Sequence, residues 1–232
     1  MRKRFPRSLP RAIIDRSALH EPAFLLSTVA MLFVFAGLYI PYFYIQVFAE
    51  KKRVMDASNT YLNRYLIVFL NVGSFFGRLV STCPAQKIDD TTLTSKQFPN
   101  MLADKLGPLN TIIPCILISS IIAFSWISVS SRAGTVTFCI FYGFFSGSVV
   151  SLVPVLWSSQ TPDLTRLGTR IGMVSVFMAV GLLIGNPIGG ALVKQLSFVG
   201  LQAFCGTAVL AAGLLLTAAK MSLTGLHMGK RA

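Results

Sequence analysis

The chain alternates between long apolar segments and short polar ones. Six apolar segments approach or exceed the roughly 20 residues that a helix needs to cross a bilayer. They are 23–48, 62–79, 109–129, 134–157, 168–193 and 198–219, and none of them contains Asp or Glu. Runs of this length are too long for strands, and they lack the period-two alternation of a half-buried sheet. The pattern predicts an all-α membrane protein with six transmembrane helices.

The composition agrees with lipid as the surroundings of most of the chain. Of the 232 residues, 53% are hydrophobic and 12% are charged, whereas a soluble domain carries about 25% charged residues. We predict a basic tail over 1–22, a six-helix transmembrane unit over 23–221 and a second tail over 222–232. The first apolar segment is too long for a cleaved signal peptide, so we expect it to stay in the membrane.

The positive charges predict the orientation of the chain. The net charge is +13, and 15 of the 21 Lys and Arg residues fall on one side of the six predicted spans. Because positively charged loops stay in the cytosol, both termini are expected there, with the plasma membrane as the location. The basic residues do not form a face interleaved with exposed aromatics, which argues against nucleic acid as a partner.

The arginine-rich tail before the first span has two interpretations. One is a mitochondrial presequence, and the other is a solvated tail that faces the lipid headgroups. Pro6 and Pro10 would break the amphipathic helix that a presequence needs. We therefore favour the headgroup-facing tail.

The sequence lacks the parts for metal or acid–base catalysis. Both histidines lie outside the predicted spans, and no two of the four cysteines form a CxxC pair. We expect no cofactor, no metal site and no enzymatic activity. A six-span channel or scaffold is an alternative to a transporter, but no selectivity-filter string supports it.

The second span carries a polar stripe. Asn71, Ser74 and Arg78 follow the spacing i, i+3, i+7, which places them on one helical face. Polar groups in a membrane helix are costly against lipid, so this face is a candidate substrate pathway with Arg78 as its cation. Alternatively, Arg78 extends to the headgroups while Asn71 and Ser74 form interhelical hydrogen bonds.

The first span contains a proline with aromatic neighbours. Pro41 is expected to kink the helix, and a kink is tolerated where the unpaired carbonyl finds another donor. Tyr39, Tyr42 and Gln46 share a face and are further candidates for the pathway. The alternative is an aromatic belt at the outer interface.

Small residues recur at four-residue spacing in the fourth and fifth spans. This spacing allows helix backbones to approach closely, and in the fifth span a proline kink adds to it. The predicted helix-packing residues are Gly143, Gly147, Gly181, Gly185, Pro187 and Gly189.

Several strings resemble a known family. Segments 77–79 and 98–110 resemble the cytoplasmic loop signature of the major facilitator superfamily, and 181–190 resembles its glycine- and proline-rich helix motif. Residues 161–172 resemble a loop of its monocarboxylate-transporter-like branch, which is abundant in fungi. The signature residues are Gly77, Arg78, Asp104, Lys105 and Gly107.

The resemblance implies half of a major facilitator fold, with the six spans as helices seven to twelve of twelve. Asp104 and Lys105 would then belong to a gating loop. The implied function is transport of a small organic solute by alternating access, through uptake of a monocarboxylate or export of a secondary metabolite. Because one half has no opposing wall, it would need a second six-helix half or a homodimer, or the chain is a truncated, non-functional remnant. Animal relatives have a carboxylate where Ser74 stands, so proton coupling through this pair is not expected.

The resemblance is interrupted by segment 80–97. Removing these 18 residues would join 77–79 directly to 98–100 and restore the signature. The codon of Val80 begins with GT, and Gln97 can be encoded by CAG, so our hypothesis is a translated, unspliced intron. The alternative is a hydrophilic loop, which adds little closure entropy.

Overall fold

The computed structural model of the chain describes residues 15–51, 60–82, 107–161, 165–195 and 197–224. These residues are helical almost throughout, which confirms the all-α prediction. The helices are α1 (Pro22–Leu38), α2 (Ile40–Lys51), α3 (Thr60–Thr82), α4 (Pro108–Ser125), α5 (Arg132–Ser159), α6 (Leu167–Gln195) and α7 (Phe198–Thr224). Two short 3-10 turns, Ala18–His20 and Trp126–Ser128, precede α1 and follow α4.

Five helical units among the described residues are long and apolar enough to cross a membrane. They are Pro22–Lys51, Pro108–Ser128, Arg132–Ser159, Leu167–Gln195 and Phe198–Leu223. The helix α3 is not in this set, and it carries two arginines and two asparagines. The prediction of six apolar spans is therefore confirmed for five, and a membrane crossing by α3 stays a prediction.

Local sequence signals account for several helix ends. Pro22 and Pro108 stand in the first turns of α1 and α4, where a missing N–H costs nothing. At the start of α5, the Ser131 hydroxyl accepts a hydrogen bond of 3.1 Å from the Gly134 amide. These three helix starts lie where the predicted apolar segments begin, so the capping residues and the hydropathy pattern place the starts at the same positions.

Neighbouring helices pack in the order α3, α5, α4, α7, α1, α6. The helix α5 packs against α3 and α4, while α7 packs against α4 and α1, and α1 also packs against α6. Aromatic residues fill the core beside α5. The ring centroids of Trp126 and Phe138 lie 5.3 Å apart, and those of Phe138 and Tyr142 also lie 5.3 Å apart. The helix α6 is the least buried of the five spans.

The contact between α3 and α5 is made by glycines from both helices. A methyl group added at any of four glycines would overlap a backbone carbonyl of the opposite helix. Gly73 faces Ile140, Gly77 faces Phe144, Gly143 faces Leu70, and Gly147 faces Ser74. The Ser148 hydroxyl also donates a hydrogen bond of 3.0 Å to the Gly77 carbonyl across this contact. We call this contact the glycine seam.

A second close contact joins α1 to α6. A methyl group at Gly181 would overlap the carbonyl of Leu32, and one at Gly185 would overlap the carbonyl of Ala36. Gly189, one turn further along, faces side chains rather than backbone. The glycine spacing of the fifth predicted span therefore lies against the first span.

Candidate functional site

The first span is interrupted at Tyr39, between α1 and α2. Pro41 has no N–H, so it cannot donate the helical hydrogen bond to the carbonyl of Gly37. The thiol of Cys205 on α7 donates to that carbonyl at 3.3 Å. The hydroxyl of Tyr142 on α5 donates to the next carbonyl, that of Leu38, at 2.9 Å. Side chains from two other helices therefore satisfy the backbone at the interruption.

The candidate pathway residues of the first span lie at this interruption and after it. The rings of Tyr39 and Tyr42 lie 5.6 Å apart, both half-buried, and the Tyr42 hydroxyl is 2.9 Å from the Ser146 hydroxyl of α5. Gln46 lies one turn beyond and donates a long hydrogen bond of 3.4 Å to the Arg64 carbonyl of α3. The structure thus brings the two tyrosines together and places Gln46 at the start of α3.

Tyr44 contacts a different helix. Its hydroxyl donates a hydrogen bond of 2.9 Å to the Asn186 carbonyl, next to Pro187 in α6. The same ring lies against Gly189. Tyr44 is not among the predicted pathway residues, because it does not share the face of Tyr39 and Tyr42.

The polar stripe of α3 is divided in the structure. Ser74 is buried in the glycine seam against Gly147. Asn71 is exposed and donates to the Ile67 carbonyl of its own helix at 2.8 Å. Arg78 is also exposed, one turn beyond Ser74. The stripe therefore does not form one continuous polar surface, because Ser74 lies inside the helix contact while Asn71 and Arg78 lie outside it.

The residues of the loop signature lie in different places. Gly77 is part of the glycine seam. Gly107 precedes α4 with a φ of 92°, a conformation that glycine adopts without strain. Asp104 and Lys105 lie outside the described residues, and no contact of theirs is assigned.

A buried arginine forms ion pairs with two carboxylates where α1 and α6 begin. Arg170, which is 4% exposed, forms ion pairs with Asp15 at 3.0 Å and with Glu21 at 2.7 Å. It also donates to the Gln160 carbonyl at the end of α5 at 3.2 Å, and its guanidinium lies 5.5 Å from the ring centre of Phe24. We call Asp15, Glu21 and Arg170 the charge cluster.

Asp15 is held in its charged form by several donors. The amide and hydroxyl of Ser17 donate to one carboxylate oxygen at 3.2 and 2.6 Å, and Arg170 donates to the other. The Ser17 hydrogen bond and Arg170 lower the pKa of Asp15 to about 2, although burial opposes them. The cluster therefore joins the polar segment before α1 to the start of α6 by charged hydrogen bonds.

The charge cluster was not predicted from the sequence. The available signals were the single Asp in an arginine-rich tail, a Glu next to the first span, and an Arg in the first turn of the fifth. In the residues that the structure covers, no three His, Cys, Asp or Glu side chains form a group that could hold a metal.

The fold and these sites define a helical membrane protein with polar groups at a broken first span and at one end of the bundle. A profile of the Major Facilitator Superfamily matches residues 91–224. The chain belongs to the major facilitator superfamily, as its loop signature and helix motif predicted.

Named relatives of the chain are fungal transporters. It is 32% identical to the MFS-type transporter dbaD of Emericella nidulans, over 93% of this chain and 45% of the relative. It is 31% identical to the aspyridones efflux protein apdF of the same organism, over 100% of this chain and 43% of the relative. It is 33% identical to MFS-type transporter 1 of an Ophiocordyceps species, over 96% of this chain and 46% of the relative. The chain thus spans a little under half the length of these relatives.

Proposed function

We propose that the chain forms the C-terminal six-helix half of a secondary transporter that exports a small organic solute, a fungal secondary metabolite, by alternating access. The names of relatives such as the aspyridones efflux protein favour export over monocarboxylate uptake. In this proposal α3 also crosses the membrane, which makes six spans, and its exposed polar residues Asn71 and Arg78 face the pathway between the two halves. The plasma membrane is the location, with both termini in the cytosol.

The interruption of the first span is the observation that carries the proposal. Discontinuous helices near the midplane form the solute sites of many secondary transporters. Here the Tyr39 and Tyr42 rings lie 5.6 Å apart at the interruption, and α3, which carries Arg78, packs against α2. Two aromatic rings, with Arg78 on a neighbouring helix as the cation, suit a flat organic molecule that carries a negative charge.

A second six-helix unit completes the proposed pathway. Alternating access requires two halves that rock about a central site. The other half comes from another part of the same protein, from a different chain, or from a second copy in a homodimer. In each arrangement the exposed apolar side chains of α3, Phe75 and Phe76 among them, have lipid or the second half as neighbours.

Flux through proteoliposomes tests the proposal. The chain is reconstituted alone and together with the first six helices of dbaD, and uptake of an aspyridone and of radiolabelled benzoate is measured against concentration. Saturable flux of either compound with the second half present supports a carrier, and its preference for one compound identifies the solute class. Non-saturable flux would indicate a six-span channel, and no flux with any partner half would indicate a non-functional remnant.

Segment 80–97 forms a separate part of the proposal. We infer that it is encoded by a retained intron. Its first three residues continue α3 to Thr82, and its remainder, 83–97, lies outside the described residues. Sequencing of cDNA decides the question: transcripts that lack these codons support the inference, and transcripts that all retain them overturn it.

A further inference from the structure

The hydroxyl of Tyr42 stands at the end of a short chain of polar groups that leads into α5. Its oxygen lies 2.9 Å from the hydroxyl oxygen of Ser146, a residue that is 1% exposed. The Ser146 hydroxyl lies in turn 3.0 Å from the carbonyl oxygen of Gly143, one turn earlier in the same helix. Within the part of the chain that the structure describes, no other group hydrogen-bonds to the Tyr42 hydroxyl.

The number of protons decides the direction of both hydrogen bonds. A hydroxyl has one proton to donate, and a carbonyl oxygen only accepts. If Ser146 donated to Tyr42, its contact with the Gly143 carbonyl would have no proton, and one buried hydrogen bond would be lost. If Tyr42 donates to Ser146 and Ser146 donates to Gly143, both contacts are hydrogen bonds. The second arrangement satisfies one more contact, so the Tyr42 proton points toward α5.

The direction of this proton determines what Tyr42 offers to a solute. A phenolic oxygen whose proton is engaged keeps its lone pairs and acts only as an acceptor. Tyr42 is half-buried, and its ring lies 5.6 Å from that of Tyr39 at the interruption of the first span. A site that offers a fixed acceptor favours a solute with a hydrogen-bond donor and discriminates against an analogue that lacks one.

Tyr44, on the same helix, provides a comparison. Its hydroxyl also donates to the protein, to the Asn186 carbonyl of α6 at 2.9 Å. A methyl group at Gly190 would lie 3.0 Å from the Tyr44 oxygen, so α6 covers this hydroxyl. Of these two tyrosines, only Tyr42 therefore directs an acceptor toward the tyrosine pair of the proposed pathway.

We propose that Tyr42 is a specificity-determining residue that accepts a hydrogen bond from the solute, and that Ser146 is the positioning residue that keeps it an acceptor. The transported solute then carries an O–H or N–H group on its flat ring system, as a phenol, an enol or a cyclic amide does. The inference rests on the proposed function, because it takes the tyrosine pair as part of the pathway.

Competition in the reconstituted transporter tests the inference. The chain is combined with the first six helices of dbaD, and para-hydroxybenzoate and para-methoxybenzoate compete with the compound that shows saturable flux. The two competitors share the ring and the carboxylate, but only para-hydroxybenzoate has a phenolic donor. We expect it to inhibit at an about fivefold lower concentration, which corresponds to one neutral hydrogen bond. Equal inhibition by the two compounds, or none by either, overturns the proposal.

Two variants and a control assign the roles of the two hydroxyls. Tyr42→Phe removes the acceptor, so the two compounds should inhibit equally. Ser146→Ala keeps the Tyr42 oxygen and releases its proton, so it should strengthen inhibition by para-methoxybenzoate, a gain that lost packing would not produce. Tyr44→Phe is the matched control, and it should preserve the difference between the compounds. A Ser146→Ala variant that weakens inhibition by both compounds equally overturns the positioning role.

Infrared spectroscopy tests the direction of the proton without flux. The frequency of the tyrosine C–O stretch distinguishes a hydroxyl that donates a hydrogen bond from one that only accepts, and subtracting the spectrum of Tyr42→Phe isolates the band of Tyr42. We expect a donating hydroxyl in the unmodified chain and a shifted band in Ser146→Ala. A non-donating hydroxyl in the unmodified chain overturns the proposal. Absence of flux with every partner half would overturn the proposed function and the solute class with it, whereas equal inhibition of a working transporter overturns this inference alone.

Discussion

The hydroxyl of Tyr142 donates a hydrogen bond of 2.9 Å to the carbonyl of Leu38 at the last residue of α1. Tyr142 is fully buried, and Leu38 is 1% exposed. Carbonyls at a helix C-terminus have no helical donor, and water does not reach this one. The interrupted first span therefore depends on a hydroxyl from a residue more than a hundred positions away.

Tyr142→Phe tests this dependence. The substitution keeps the ring and removes the donor, so we expect a loss of about 1–3 kcal/mol of stability. Thermal unfolding in detergent measures it as a lower Tm. The control is Tyr65→Phe, whose side chain is 55% exposed, and it should change stability by no more than about 0.5 kcal/mol. Equal effects of the two variants would contradict the assigned role of Tyr142.

Arg170→Gln should be strongly destabilising. The substitution leaves Asp15 and Glu21 without their shared cation, and breaking a buried pair costs about 3–5 kcal/mol. Arg166→Gln provides the comparison, because the Arg166 side chain is 56% exposed and pairs with Asp15 at 3.4 Å. An exposed pair contributes about 1 kcal/mol at most. Similar Tm values for the two variants would show that the charge cluster does not stabilise the fold.

The charge cluster also predicts a pH dependence. The pKa of Asp15 is lowered from 3.8 to about 2, chiefly by the Ser17 hydrogen bond. A lowered folded-state pKa means that this contribution is complete above pH 4 and is lost as the pH falls toward 2. The Tm difference between the unmodified protein and Asp15→Asn should be constant above pH 4 and narrow as the pH approaches 2. A difference that persists unchanged at pH 2 would be inconsistent with this assignment.

Alanine substitutions at two glycines test whether the glycine seam is more closely packed than an ordinary helix position. Gly147→Ala places a methyl group against Ser74, so we expect overpacking to cost about 1–3 kcal/mol or more. Gly172→Ala is the control, because no neighbour of that position lies within 4 Å. Alanine is the better helix former, so the control should be neutral or more stable by up to about 1 kcal/mol. Comparable losses in both variants would indicate that the seam is not close-packed.

Arg78→Gln tests the proposed pathway in the reconstituted transporter. Loss of a charge-assisted hydrogen bond to an anionic solute should raise KM for the anionic compound that the transporter carries by about tenfold or more. Arg64→Gln, near the opposite end of α3, is the matched control and should leave KM unchanged. A neutral solute should be affected by neither variant.

Much of the fold follows from the sequence because length and hydropathy decide which segments cross a membrane. Pro41 also predicted the interruption of the first span, since a missing N–H has the same consequence in any helix. The orientation of α3 was harder to predict. The spacing placed Ser74 and Arg78 on one face, but Ser74 is buried because Gly147 on another helix allows α5 to approach.

The charge cluster could not be predicted from local patterns. Arg170 lies 155 positions from Asp15 and 149 from Glu21 along the chain. Each of the three residues by itself resembles a solvated charge at the end of a helix. Only the packing of α1 against α6 brings them together, and that packing depends on Gly181 and Gly185.

The carbonyl contacts of the glycine seam have a genetic consequence. A larger residue at Gly206 would contact the side chain of Phe124, and one at Gly213 would contact that of Leu117. A smaller residue in place of Phe124 or Leu117 would restore the space. A substitution at Gly77 or Gly143 meets the backbone of Phe144 or Leu70, which every amino acid retains. Second-site suppressors should therefore be recoverable for the first pair of glycines, whereas for the second pair only true revertants should restore the protein.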